Sequence, residues 1–294
     1  MIFAKILSYF IVTITLILIS GCTNIKSQKS ISDPNILDGE KPNMTQNETV
    51  TTATTIKPEL INFADNKAGK VFEGELYIPK IKQAAKYPLI IIVHEWWGKN
   101  NYVQGRGQQL ASMGYATLVV DLYGNNAESD NPTGAMALAK PFYEDPSKST
   151  QLLEKYYQLV IKDNRIDKNQ ISAIGYCFGG TQVLNWARSG KSIKLMASFH
   201  GGLQGDSKNS HLIRTPIYVF NGEADQMVKN EDIEEFKKEF SAKKANLKFI
   251  NYPGALHAFS NPQATEVGKK FNLPVAYNAA ADKGSFNELL KALR

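Results

Sequence analysis

The chain is 294 residues long and 43% hydrophobic, enough to bury the core of one large α/β domain. Its formal net charge of +6 arises from dispersed lysines, with short clusters such as "FKKEFSAKK" and no aromatic-basic alternation, which reads as solvated helix faces and argues against a nucleic-acid partner. No Cys/His/Asp cluster at ligand spacing and no phosphate-binding glycine loop occurs, so neither a metal nor another cofactor is expected.

The chain opens with "MIFAKILSYFIVTITLILISGC", a lysine, an apolar run from Ile6 to Ile19 and small residues before Cys22. This is the pattern of a secretory signal over residues 1–22, with an apolar run short for a spanning helix. "ISGC" resembles the bacterial lipobox, which implies lipid on Cys22 and a mature chain of charge near +5 once Lys5 is removed. The expected location is then the bacterial cell envelope, lipid-anchored, with Thr23 after the cysteine favouring the outer membrane facing the periplasm. An uncleaved membrane anchor is the alternative. With Cys22 so used, Cys177 is an unpaired thiol, and an exported protein must keep it buried, reactive or both.

Residues 23–57 are rich in Ser, Thr, Asn, Lys and Pro, too polar to pack, and read as a flexible linker. From 58 to 294 strands and amphipathic helices alternate. "KVFEGELYIP" has the alternation of a half-exposed strand, whereas "YPLIIIVHE" is a continuous apolar run, as in a strand buried on both faces. A helix at "QGRGQQLASMGY", the strand "ATLVVDLYG", a helical region from Pro132 to Lys162 and the strand "ISAIGY" follow. Beyond "GYCFGG" come a helix to about Ser189, the strands "IKLMASFH" and "IYVFNGE", the helix "NEDIEEFKKEFSAK", the strand "LKFINYPG" and a last helix near "SFNELLKALR". This rhythm predicts an α/β fold, a mainly parallel sheet with helices on both faces and functional residues at the carboxyl ends of strands.

"GYCFGG", Gly175 to Gly180, fits G-x-C-x-G, the cysteine form of the nucleophile elbow. Small neighbours are needed because the nucleophile sits on a strained strand-to-helix turn, and the amino end of the next helix favours a thiolate. A buried structural cysteine beside packing glycines is the plain alternative. Chain order argues against it: nucleophile, acid and base follow one another in this fold, and Asp225 after "IYVFNGE" and His257 after "LKFINYPG" occupy the required places. Cys177, Asp225 and His257 form the expected catalytic triad.

"HEWWG" at 94–98, "DLYG" at 121–124, "GYCFGG", "GEAD" and "YPGALHAFSNP", in this order, resemble the dienelactone hydrolase family of α/β-hydrolases from about Phe72 onward. The resemblance implies an α/β-hydrolase fold and an enzyme that cleaves small esters or lactones through a thiol acyl-enzyme; the short connection between the fifth and sixth strands leaves no large cap domain, and a monomer is expected. It implies a carboxylate, Glu95, close to the resting thiol, and leaves open whether Glu95 or His257 takes its proton. The oxyanion hole of this fold would use the backbone N–H groups of Trp96 and Phe178. Trp97 and Tyr123 are expected to line the substrate pocket, and His94 and His200 to be satisfied structural histidines. One departure bears on substrate. Enzymes named after dienelactone hold its carboxylate with arginines, one just after the catalytic histidine and one after the third core strand. Here "AFSNPQATEVG" follows His257 and no arginine lies between Gly124 and Asn164, which predicts a preference for neutral substrates, with Lys140 and Lys148 the other cations to consider. The rival readings are a non-catalytic envelope binding module on the same fold and a thioesterase or peptidase of the superfamily.

Overall fold

The computed structural model describes residues 56–80, 85–206 and 209–294; Cys22, the leader and nearly all of the linker lie outside these. The strands are β1 (Glu59–Asp65), β2 (Lys70–Tyr77), β3 (Tyr87–Val93), β4 (Ala116–Val120), β5 (Ile166–Tyr176), β6 (Leu195–Phe199), β7 (Ile217–Gly222) and β8 (Leu247–Tyr252). They form one sheet in the order β1-β2-β4-β3-β5-β6-β7-β8. β1 and β2 are antiparallel to their neighbours, while β4, β3 and β5 to β8 run parallel. The helices are α1 (Asn101–Ser112), α2 (Pro132–Glu144), α3 (Ser147–Val160), α4 (Phe178–Arg188), α5 (Asn230–Ala242), α6 (Ala264–Phe271) and α7 (Ala279–Leu293).

The central position of β3 follows from its composition. Successive side chains of a strand face opposite sides. Leu89, Ile91 and Val93 join one core with Tyr156 of α3, Leu184 of α4 and Phe240 of α5, while Ile90 and Ile92 join the other with Leu110 of α1 and Leu289 of α7. All five are fully buried, each contributing about 1.5–3 kcal/mol, so a polar residue at any of them would cost one core or the other.

Four features differ from the sequence reading. β1 is an additional edge strand, registered Glu59 to Leu76 through Asp65 to Lys70. The helical region after Pro132 is two helices, because Pro146 drives Asp145 out of helical geometry, to φ −137 and ψ 88. β5 begins five residues before "ISAIGY", and α6 occupies a stretch to which the sequence reading assigned no element.

Candidate active site

At the carboxyl end of β5 the chain turns into α4 through Cys177, whose φ of 52 and ψ of −116 are unusual for a residue with a side chain and cost about 1–3 kcal/mol. The turn is held on both sides. The Cys177 N–H donates to Phe199 O at 2.9 Å and faces His200 Nδ1 at 3.1 Å, and the Cys177 carbonyl accepts from Thr181 at 3.2 Å. Packing explains the glycines: a Cβ on Gly175 would stand 2.1 Å from Gly179 O, and one on Gly179 would stand 2.4 Å from Val93 O. The elbow is thus pressed against the end of β3. Cys177 remains partly accessible, at the amino end of α4.

The three residues of the expected triad, brought from loops after β5, β7 and β8, meet in one line. His257 Nε2 is 3.0 Å from Cys177 Sγ, and His257 Nδ1 is 2.8 Å from Asp225 Oδ2. Asp225 is oriented by the Met227 N–H, which donates to its Oδ1 at 2.8 Å. The histidine loop is fixed by pairing of His257 with Val275, the Ala276 N–H donating to His257 O at 3.2 Å. Burial alone would lower the His257 pKa; the Cys177 sulfur and the Asp225 carboxylate outweigh it and hold the imidazole well above its ordinary range. These surroundings thus favour the protonated imidazole, in contact with the sulfur.

Glu95, at the end of β3, is 1% exposed, and its Oε2 accepts from Asn261 Nδ2 at 2.7 Å. The orientation of that amide is set by Gln263 N–H, which donates to Asn261 Oδ1 at 3.0 Å. The resemblance implied a carboxylate close to the thiol; Glu95 has Asn261 as its hydrogen-bonding partner, and Cys177 bonds His257. Burial raises the Glu95 carboxyl to about 7, against the opposing effects of Asn261, His257 and Arg106. A carboxyl so tuned can give or take a proton near neutrality.

Among the described residues, no protein acceptor engages the N–H of Trp96 or of Phe178, so both are free to donate. Trp97 is half-buried, edge-on to Trp96 at 4.8 Å and near Phe271 at 6.3 Å. Tyr123 corrects the pocket expectation: it is 1% exposed, its hydroxyl donates to Trp96 O at 3.0 Å, and it packs on His94 and Phe178 beneath the site. A position at a strand's end does not tell which way its side chain points. Sequence reasoning also missed Tyr143, at the end of α2, whose ring stands edge-on to Phe178 at 5.7 Å and which is 39% exposed. His94 and His200 are fully buried, with both ring nitrogens partnered. Asp121 of "DLYG" accepts from Tyr123, Gly124 and Asn126 N–H groups and so shapes the loop after β4.

Residues 72–294 match the family model described as dienelactone hydrolase family. A protein of Synechocystis sp. named "Putative carboxymethylenebutenolidase" is 25% identical over 199 residues, covering 62% of this chain and 80% of its own. Among solved structures, m3DLH superposes with a TM-score of 0.75 at 27% identity, covering 81% of this chain and 98% of its own. A dienelactone hydrolase-like promiscuous phosphotriesterase from metagenomic libraries superposes with a TM-score of 0.74 over the same shares, at 22% identity, a likeness of fold.

Proposed function

The chain belongs to the dienelactone hydrolase family, hydrolases that act on esters or lactones, and from that premise we propose that it works through Cys177 as nucleophile and a thiol acyl-enzyme. The observation that carries this reading is the unbroken line from Asp225 through His257 to the Cys177 sulfur, at 2.8 and 3.0 Å. His257, in contact with the sulfur, takes its proton. The thiolate attacks the carbonyl carbon, an S–C bond forms, and the C=O pair moves onto oxygen, where the Trp96 and Phe178 N–H groups receive it. Collapse expels the alkoxide, which takes the proton from His257 Nε2; for a lactone it stays within the same molecule. Water, deprotonated by His257, then attacks the thioester; collapse expels the Cys177 thiolate and releases the carboxylic acid, which loses its proton to solvent. Asp225 keeps the imidazole in its working tautomer. Glu95, tuned to about 7 beside His257, is a second proton store next to this relay.

The preferred substrates are neutral short-chain esters or lactones. Asn261 stands on the turn after His257 and is committed to Glu95, and Arg106, the cation whose charge reaches Glu95, is buried and bound to Asp282 and Ser260 O. A substrate carboxylate would meet a carboxyl rather than a guanidinium. Lys140 is exposed and pairs with Glu144 at 3.6 Å.

The test is turnover of p-nitrophenyl acetate by the parent and Cys177→Ala, with loss of about 10³-fold or more expected in the variant. Near-parental rates in a folded Cys177→Ala protein would overturn the mechanism and favour a binding module. Cys177→Ser should be poor, since a hydroxyl needs a stronger base than a thiol. The proposed envelope location rests on "ISGC", outside the described residues; palmitate labelling lost in Cys22→Ala is the expected result, and labelling unchanged there would refute it.

A further inference from the structure

His94 directly follows β3, is wholly buried and lies beside the proposed oxyanion site without a hydrogen bond to the triad. Its ring nitrogens have distinct duties. The Leu122 N–H donates to Nε2 at 3.2 Å, so the proton sits on Nδ1, which donates to Glu95 O at 2.6 Å. Burial keeps the ring below the ordinary histidine range, in this neutral tautomer, against the raising effects of the Glu95 carbonyl and Asp121. The Gly98 N–H adds a second bond to Glu95 O at 3.2 Å, and Tyr123 holds the next carbonyl, Trp96 O.

The Glu95 carbonyl and the Trp96 N–H are the two ends of one peptide unit, and no cis peptide occurs among the described residues. In a trans unit the N–H points opposite to the C=O. We infer that His94 is a positioning residue for the oxyanion hole: by holding the Glu95 carbonyl it fixes the plane of the Glu95–Trp96 peptide and aims the Trp96 N–H at the developing oxyanion. A hydrogen bond received by the carbonyl also polarises the amide and makes its N–H a stronger donor. The same imidazole lies nearly parallel to the Phe178 ring, at 5.8 Å and 20°, and the His94 carbonyl, with that of Val93, leaves no room for a side chain at position 179. One side chain therefore touches the peptide unit that carries the Trp96 N–H, at its Glu95 carbonyl, and packs on Phe178.

The inference rests on the acyl-transfer reading, and two reactions of the same sulfur separate them. Acyl transfer develops an oxyanion; alkylation of Cys177 by iodoacetamide is a displacement at carbon that develops none. His94→Gln keeps an acceptor for Leu122 but vacates the Nδ1 donor, whereas His94→Asn keeps a donor near Nδ1. In His94→Gln, kcat for p-nitrophenyl acetate should fall about 10- to 100-fold, with KM and the iodoacetamide rate within about twofold of parent; misaiming a donor should cost less than deleting one. His94→Asn should recover most of the loss. A trifluoromethyl ketone, which forms an oxyanion on the sulfur, should weaken in parallel with kcat. Equal losses in alkylation and acylation, or unchanged kcat in folded His94→Gln, would overturn the inference; if that variant does not fold, His94→Leu serves the same comparison, and if neither folds, an inactive His94→Asn with parental alkylation would overturn it. Failure of the reading itself appears separately, as turnover that survives Cys177→Ala.

Discussion

Glu95→Gln is expected to change the pH dependence of stability in a way that isolates one buried carboxyl. Glu95 has an ordinary pKa of 4.5 and a folded value of about 7, the rise caused by burial. Below pH 4.5 the group is protonated in both folded and unfolded chains and contributes no pH dependence. Between 4.5 and 7 the folded protein holds a proton that the unfolded chain has released, so rising pH favours unfolding by about 1.4 kcal/mol per unit. Above 7 both forms are ionised and the cost levels off at about 3 kcal/mol, the product of that slope and the shift. Glutamine still accepts from Asn261 but cannot ionise. Burying its amide adds an offset independent of pH, so the informative quantity is the change in the difference between variants. His257, whose folded pKa is raised, adds stability that is full below its ordinary 6.5 and fades as pH rises through the folded value, and this is common to both proteins. Urea unfolding followed by fluorescence of the three tryptophans, at pH 5, 6, 7 and 8.5 and constant ionic strength, should show Glu95→Gln gaining about 2–3 kcal/mol on the parent across the series. A difference that stays flat from pH 5 to 8.5 would mean that the carboxyl is not desolvated as its position requires.

Gly179→Ala should destabilise by about 1–3 kcal/mol and lower kcat, because the new methyl would stand 2.4 and 2.6 Å from the Val93 and His94 carbonyls, backbone atoms that cannot step aside; unchanged Tm and turnover would refute the packing argument. Matched esters that differ only by a carboxylate should show higher kcat/KM for the neutral member. The absent charge-assisted anchor amounts to about 2–5 kcal/mol, and equal turnover of the anionic ester would show that another cation supplies it.

The sheet and the meeting of Cys177, Asp225 and His257 were legible because each rests on a local pattern with a geometric meaning. An uninterrupted apolar run such as "YPLIIIV" fits only a strand covered on both sides, and the elbow glycines mark the turn that no other residue fits. The β1 edge strand was not legible: "ELINFAD" follows a polar linker, and its burial against β2 is only partial. Asn261 was missed for a different reason. Its importance comes from Glu95, 166 positions earlier, and a pairing over that distance leaves no trace in spacing. The sequence placed Glu95 near the thiol but held no sign of the amide it bonds. Tyr123 was placed at the right end of its strand and given the wrong direction, since the loop after β4 turns its ring onto His94 and Phe178 and its hydroxyl to Trp96 O.

The parallel centre of the sheet also governs how the molecule comes into being. β3 must find β5, pairing Leu89 with Ile171, only after β4, α2 and α3 have been laid between them, and β5 then receives β6, β7 and β8 in turn. Such distant pairings cost loop-closure entropy before they return any burial, which makes them slow steps. Cys177, Asp225 and His257 hang from the ends of β5, β7 and β8, so none of the three meets another until those strands are zipped. Recovered esterase turnover during refolding should therefore lag tryptophan burial, and a chain halted part-way would carry the Cys177 thiol apart from His257 and Asp225.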